Sequence, residues 1–275
     1  MPVWSFEELR IPHNFVDCVV YLYKDVPSAE SGDNMRAATG FWASAKTTSG
    51  VVTLLVTNRH VIEEGTTVVR YAASDGAARV FETDDRQWHH HPDPNVDVSV
   101  LLMPITDASD AHAFLIDVST FITPSDLTNF DVRLGDDLCM VGRHINYDGK
   151  TTNNPTARFG YLCQFPLEKI KDDKGREFEA YLAQIPSLPG FSGSPVFLCQ
   201  DESEKGMETN MLTLGNGSRR MLLLGVNSGH IPAYGATFLT QSGIRNEGID
   251  AEINSGIITV VPAYKIYDAI VSLLT

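Results

Sequence analysis

Three short segments hold residue types that together can transfer an acyl group. TNRHVI (57–62) sets His60 directly after an apolar run. HPDPNVDVSVLLMPI (91–105) sets Asp97 directly before an alternating apolar run. PGFSGSPVF (189–197) holds Ser192 between glycines and ahead of another apolar run. A serine hydroxyl is a weak nucleophile until a base takes its proton, and the base needs an acid to fix its tautomer and stabilise its cation. The reaction also needs backbone N–H groups aimed at the developing oxyanion. Glycine at 190 and 193 lets the chain make a tight turn whose amides converge on one spot. Taken singly, a histidine after a strand, an aspartate capping a strand and a Ser-Gly-Ser loop are ordinary features; their joint order and flanks carry the meaning. Ser194 is the rival nucleophile, and Ser192 is preferred because glycine stands two before it and one after it. Asp93 is the rival acid, but it lies between prolines, away from the strand start. His89, His90 and His91 invite a metal reading. Consecutive side chains on an extended chain point to alternate faces, and no nearby cysteine or glutamate pair completes a closed site, so a solvated loop is expected there and no metal or other cofactor.

The elements that must position these residues read as short strands. FVDCVVYLY (15–23), GFWASA (40–45), VVTLLVT (51–57), TVVRYAA (67–73), VSVLLMPI (98–105), DLCMVGR (137–143), PVFLC (195–199), MLLLGVN (221–227) and IITVVPA (257–263) are rich in β-branched, leucine and aromatic residues and are bounded by turn formers. Many short strands at modest spacing predict an all-β barrel or sandwich. Helical periodicity appears at the end, where Tyr264, Tyr267, Ile270 or Val271, and Leu274 predict an amphipathic helix over 263–274, with a shorter helical piece at FEEL (6–9). The polar, glycine- and asparagine-rich stretches 28–36, 145–156, 170–177, 201–219 and 232–250 read as loops or hairpin tips, and FITPSDLTN (121–129) reads as the boundary between two β-rich halves. Phe41, Trp42 and Phe197 flank the reactive segments and read as core.

At 275 residues the chain can bury a sizeable core, and its 43% hydrophobic and 20% charged content is that of a globular protein. A net charge of −14 lacks the basic footprint that phosphate binding needs, so no nucleic-acid partner is expected. No apolar run is long enough to span a membrane, and the N-terminus reads without a secretory leader. Cys18, Cys139, Cys163 and Cys199 are far apart and form no CxxC pair, which reads as free thiols in a reducing compartment and a cytoplasmic location.

The motifs resemble those of trypsin-like serine proteases, closest to the bacterial-type branch that holds the high-temperature-requirement and glutamyl endopeptidases. TNRHV resembles that branch's Thr-Asn-x-His-Val, VDVSVLLMP its aspartate-before-strand motif with His91-Pro92 upstream, and PGFSGSPVF its serine motif almost residue for residue. Asn153-Asn154-Pro155 with Arg158 and Gly160, LLGVNSG (223–229) and NSGIITVVPAYKIYDAI (254–270) extend the resemblance over about 15–272. It implies two six-stranded antiparallel β-barrels of the chymotrypsin-like type with a C-terminal helix, divided as 1–122 carrying His60 and Asp97, and 123–275 carrying Ser192. It implies a serine endopeptidase acting on protein or peptide substrates, with His60 as general base, Asp97 as its orienter, Ser192 as nucleophile and the amides of Gly190 and Ser192 as the oxyanion hole. Ser228 would support the Asp97 carboxylate, with Asn227, Ser228 and Gly229 along the substrate strand. Two positions depart from the family. Phe191 stands where secreted zymogens carry the aspartate that grips a newly cut N-terminus, so activation by such cleavage is not expected. Asn227 stands where glutamyl endopeptidases carry a histidine. IPSLPGF (185–191) offers no carboxylate at the expected pocket base, around Pro186, Ser187 and Leu188, so an uncharged side chain before the scissile bond is expected, with Asn227 and His230 as polar handles.

An α/β-hydrolase also holds its serine between glycines, but in the order serine, acid, histidine and with a helix after the serine. Here PVFLC follows Ser192 and only His230 comes later. A trypsin-fold binding module that has lost activity would lack a triad residue, and none is missing. A protease held inactive until a partner or ligand remodels the 201–220 and 230–256 segments is the remaining alternative, and it brings an activating partner protein as an expectation.

Overall fold

The computed structural model describes residues 11, 13–32, 37–103, 110–145, 147, 149–171, 175–201, 219–238 and 245–275. The helical piece expected at 6–9 and most of the loop expected at 201–219 lie outside them.

In the first half, the described strands are β1 (Val19–Tyr23), β2 (Ala38–Thr47), β3 (Gly50–Thr57), β4 (Val68–Ala72), β5 (Ala78–Glu82), β6 (His89–His90), β7 (Ser99–Leu102) and β8 (Ile116–Asp117). They form one eight-stranded sheet in the order β5-β4-β1-β2-β3-β7-β6, with β8 alongside β2. This path differs from the closed six-stranded barrel expected for this half. Short helices α1 (Val26–Ser31) and α2 (Arg59–Glu63) interrupt it. The loop expected around 28–36 thus begins as the end of α1, whose first turn is capped by the Asp25 carboxylate accepting from Ser28 N at 2.8 Å.

Helix α3 (Pro124–Asn129) follows at the expected boundary, and the segment before it docks on the second half through Ile122 N donating to Leu223 O at 2.9 Å. The second half holds β9 (Asp137–Gly142), β10 (Thr156–Gln164), β11 (Ile170–Lys171), β12 (Glu177–Phe178), β13 (Tyr181–Gln184), β14 (Pro195–Asp201), β15 (Arg219–Phe238), β16 (Arg245–Pro262) and the terminal helix α4 (Ala263–Leu274). Six of the strands close a barrel in the order β10-β13-β16-β15-β14-β9, and β11 pairs with β12 apart from it.

Strand periodicity explains the barrel's sequence. Leu138, Met140, Val196, Leu198, Leu222, Leu224, Ile258 and Val260 point into the barrel. Their neighbours Cys139, Val141, Phe197, Cys199, Met221, Leu223 and Val261 point out of it, into a core shared with the first sheet. Strands buried on both faces have no polar alternation, hence unbroken runs such as MLLLGV. Phe41 and Phe197 lie in this shared core and Trp42 in the core behind the first sheet, as expected. The terminal helix has the expected span, but its buried stripe is Ala263, Ile266, Ala269 and Ile270, while Tyr267, Val271 and Leu274 are exposed. The helix is rotated so that two alanines let it approach the shared core closely.

The stretch 232–250 also differs from expectation. Strands β15 and β16 stay paired antiparallel as far as Phe238 and Arg245, with register shifts between Asn227 and Gly229, between His230 and Pro232, and between Ala236 and Phe238. A backbone ladder needs no apolar side chains, so composition alone does not reveal it.

Candidate active site

The inner end of β3 is buried and delivers the chain into α2, with His60 on the first turn. Asp97 lies just ahead of β7, which pairs with β3, so the sheet brings the two together. The Asp97 carboxylate accepts from His60 N at 2.9 Å through Oδ1, and its Oδ2 lies 2.7 Å from His60 Nδ1. The Ser228 hydroxyl donates to the same Oδ2 at 2.5 Å, and Asn58 Nδ2 donates to Asp97 O at 3.0 Å. An ionised carboxylate can only accept, so Nδ1 of the neutral ring carries the proton and Nε2 is left as the basic nitrogen.

The electrostatics follow from burial and pairing. Burial alone would lower the His60 pKa, but the hydrogen bond and charge of Asp97 outweigh it and hold the ring above its ordinary value. Burial alone would raise Asp97, whose side chain is 5% exposed. Its bonds from His60, the histidine's charge and the Ser228 hydroxyl keep it below the usual carboxylate value.

Ser192 sits on a turn built by its neighbours. Phe191 N donates to Leu188 O at 3.3 Å, enclosing Pro189 and Gly190, and Gly190 has φ +101°. Proline followed by a positive-φ residue is the signature of a type II turn, which favours glycine at the second position. Gly193 has φ +83°, and a methyl group there would overlap Thr39 O and the Thr57 hydroxyl. Phe191 is fully buried, with the Arg158 guanidinium 4.7 Å over its ring and His144 edge-on at 6.4 Å. Packing thus holds the position where zymogens use an aspartate. Ser192 is partly exposed and lines, with His60 and Gly190, a cavity of about 360 Å³ that extends to Lys24, Glu64 and Thr66.

The rival residues are placed elsewhere. Ser194 is fully buried, its hydroxyl turned against Gly142. Asp93 is exposed and bonds Asn95 and, through its backbone amide, His91. The three histidine rings go separate ways: His89 to Ser272, His90 to Ser99 and His91 to Asp93.

Of the residues expected along the substrate, Ser228, Gly229 and His230 lie on β15 just beyond its pairing with β14, which ends at Pro195 opposite Val226. There β15 pairs with β16 through Gly229–Thr259 and His230–Ile258, and among the described residues no strand covers its other edge. Ser187 is buried, and its carbonyl accepts from Asn254 Nδ2. Asn227 is not a polar handle facing a pocket. Its side chain is fully buried, with Nδ2 donating to Phe191 O at 2.7 Å and Oδ1 accepting from Gly229 N at 3.3 Å. Thr39, against the same turn, carried no sequence signal, because its part depends on contact with a segment some 150 residues away.

Residues 38–203 match the family model described as a trypsin-like peptidase domain, and the chain belongs to that family. Its family is that of the trypsin-like peptidases. Comparison with curated proteins finds no match. Among solved structures, it is similar to a variant of the HtrA-type protease AlgW with tripeptide, at 16% identity and TM-score 0.49 over 94% of this chain and 60% of that one. It is also similar to the Rv3671c protease in its inactive form, at 17% identity and TM-score 0.49 over 94% and 90%, and to Deg5, at 18% identity and TM-score 0.46 over 82% and 87%. The chain thus spans about three fifths of the AlgW variant's length.

Proposed function

We propose that this chain is a serine endopeptidase that hydrolyses peptide bonds through His60, Asp97 and Ser192. The carrying observation is that Asp97 grips His60 by both ring and backbone while His60 and Ser192 open onto one cavity. His60 Nε2 takes the Ser192 proton as Oγ attacks the scissile carbonyl. The amides of Gly190 and Ser192 meet the oxyanion, and the imidazolium then protonates the leaving amine. Water, activated by the same histidine, releases the acyl-enzyme. An extended substrate adds a strand along the open edge of β15 at Ser228–His230, where backbone hydrogen bonds supply affinity without side-chain selection.

For the residue before the scissile bond, the absence of a carboxylate in 185–191 supports an uncharged preference. With the Asn227 amide engaged, His230 is the remaining polar handle. One observation favours a second reading, an acidic residue there: Arg158 donates to Pro186 O at 2.8 Å, and no carboxylate pairs with it among the described residues. A positional-scanning peptide library separates the two, with Asp or Glu signal that Arg158→Ala abolishes favouring the second. All four cysteines are free and three are buried, which supports a reducing, cytoplasmic setting.

The test of the proposal is peptide turnover by wild type and Ser192→Ala, alone and with cell lysate. The variant is expected to lose activity by several orders of magnitude while keeping its fold. Near-wild-type cleavage by the variant would refute the nucleophile. Wild-type turnover only with lysate would support the partner-activated alternative.

A further inference from the structure

We propose that Thr39 is the positioning residue that sets the oxyanion hole, acting from the first half of the molecule with Asn227 as its counterpart in the second. The inference rests on the assignment of Ser192 as nucleophile. Three consecutive carbonyls of the turn are tied back into the protein. Gly190 O accepts from the Thr39 hydroxyl at 2.7 Å, Phe191 O from Asn227 Nδ2 at 2.7 Å, and Ser192 O from Thr39 N at 2.8 Å. In a planar trans peptide the C=O and the following N–H point in opposite directions. Holding Phe191 O inward therefore turns the Ser192 N–H outward, towards the cleft.

The peptide planes on either side are pinned by Thr39. The one after Gly190 is held through Gly190 O and through Phe191 N on Leu188 O. The one after Ser192 is held through Ser192 O, with Gly193 N donating to Asn227 O at 2.9 Å on its far side. Gly190 is the position most free to turn over, because glycine adopts either sign of φ. Its own N–H lies in the Pro189–Gly190 plane, whose type II orientation goes with the positive φ of Gly190, and Thr39 holds the plane that follows, so that Gly190 is fixed on that side.

The Thr39 hydroxyl has no rotational choice. Arg143 N can only donate, and does so to Thr39 Oγ1 at 3.0 Å, so the hydroxyl proton must go to Gly190 O. Thr39 is itself fully buried, and its carbonyl accepts from the Thr57 hydroxyl at 2.8 Å, which anchors the clamp to the strand that leads into His60. One residue thus couples the oxyanion turn to the base-bearing element.

The test compares Thr39→Val, which keeps the shape and loses the hydroxyl, with Thr39→Ser, which restores it. Loss of a whole oxyanion donor costs about 10²–10³ in kcat, so a loosened one is expected to cost about 10- to 100-fold. The valine variant is expected to lose kcat by that factor with KM little changed, and to bind a peptide trifluoromethyl ketone more weakly in the same proportion. A product-like peptide should bind as before, and the serine variant should recover most of the loss. Wild-type kcat in the valine variant, or equal damage in the serine variant, would overturn the role of the hydroxyl. Fluorophosphonate labelling of wild type and Ser192→Ala judges the nucleophile separately. Should wild type turn over no peptide, amide exchange over 187–194 decides the clamp: faster in Thr39→Val supports it, and unchanged exchange overturns it.

Discussion

In the proposed reaction His60 must be neutral at Nε2 to accept the Ser192 proton, and Asp97 raises the pH at which it becomes so. A raised pKa keeps the ring protonated to higher pH, so kcat/KM is expected to climb with pH through a midpoint above the ordinary histidine value of about 6.5 and then level off. Asp97→Asn places an amide donor opposite Nδ1 and stabilises the wrong tautomer. It is expected to lower kcat about 10⁴-fold and to move the remaining midpoint down, since the neighbouring negative charge is gone. Stopped-assay pH profiles of both proteins check this, and an unchanged midpoint in the variant would separate Asp97 from His60 titration. These residues were legible in the sequence because each stands against a local landmark: a strand end, a strand start and a glycine-framed turn. Thr39 and the true place of Asn227 were not. Both act through backbone carbonyls of a distant segment, and no local pattern records which carbonyl a hydroxyl or amide will meet.

At the scale of elements, the site depends on how closely β2 and β3 approach the Ser192 turn. Gly193 is where that approach leaves no space, since its φ is positive and a methyl group would overlap Thr39 O. Gly193→Ala combines strain of about 1–3 kcal/mol with displacement of the clamp. It is expected to lower the thermal midpoint and to reduce kcat more than about tenfold in the folded fraction, by the donor magnitude above. Calorimetry alongside turnover checks both, and a stable, fully active variant would show that the turn is not so confined. Strand existence was readable from β-branched runs because they are buried on one or both faces. The continuation of β15 and β16 through polar residues was not, because main-chain pairing leaves no mark on composition. The helix α4 was readable as a helix but not its buried face, which is set by alanines that fit the shared core rather than by the largest side chains.

At the scale of the molecule, His60 and Asp97 come from the sheet of the first half and Ser192 from the barrel of the second, so their alignment depends on the core between them. Phe15 meets Phe197 across it at 4.6 Å, and α4 folds back to place Ile266 and Ile270 in the same core. Ile266→Ala removes a fully buried side chain there and is expected to cost about 2–5 kcal/mol of stability, measured by denaturant unfolding, with little loss of activity in the molecules that stay folded. Activity is also expected to survive chelator and reductant, because the proposed chemistry draws on side chains and amides alone; inactivation by chelator with recovery on adding zinc would return the His89–His91 segment to consideration. The most direct measurement is covalent labelling by a fluorophosphonate, with the modified peptide mapped by mass spectrometry. The account predicts one label, on Ser192, abolished in Ser192→Ala and strongly slowed in His60→Ala. A label on another residue, or labelling that persists in Ser192→Ala, would contradict it.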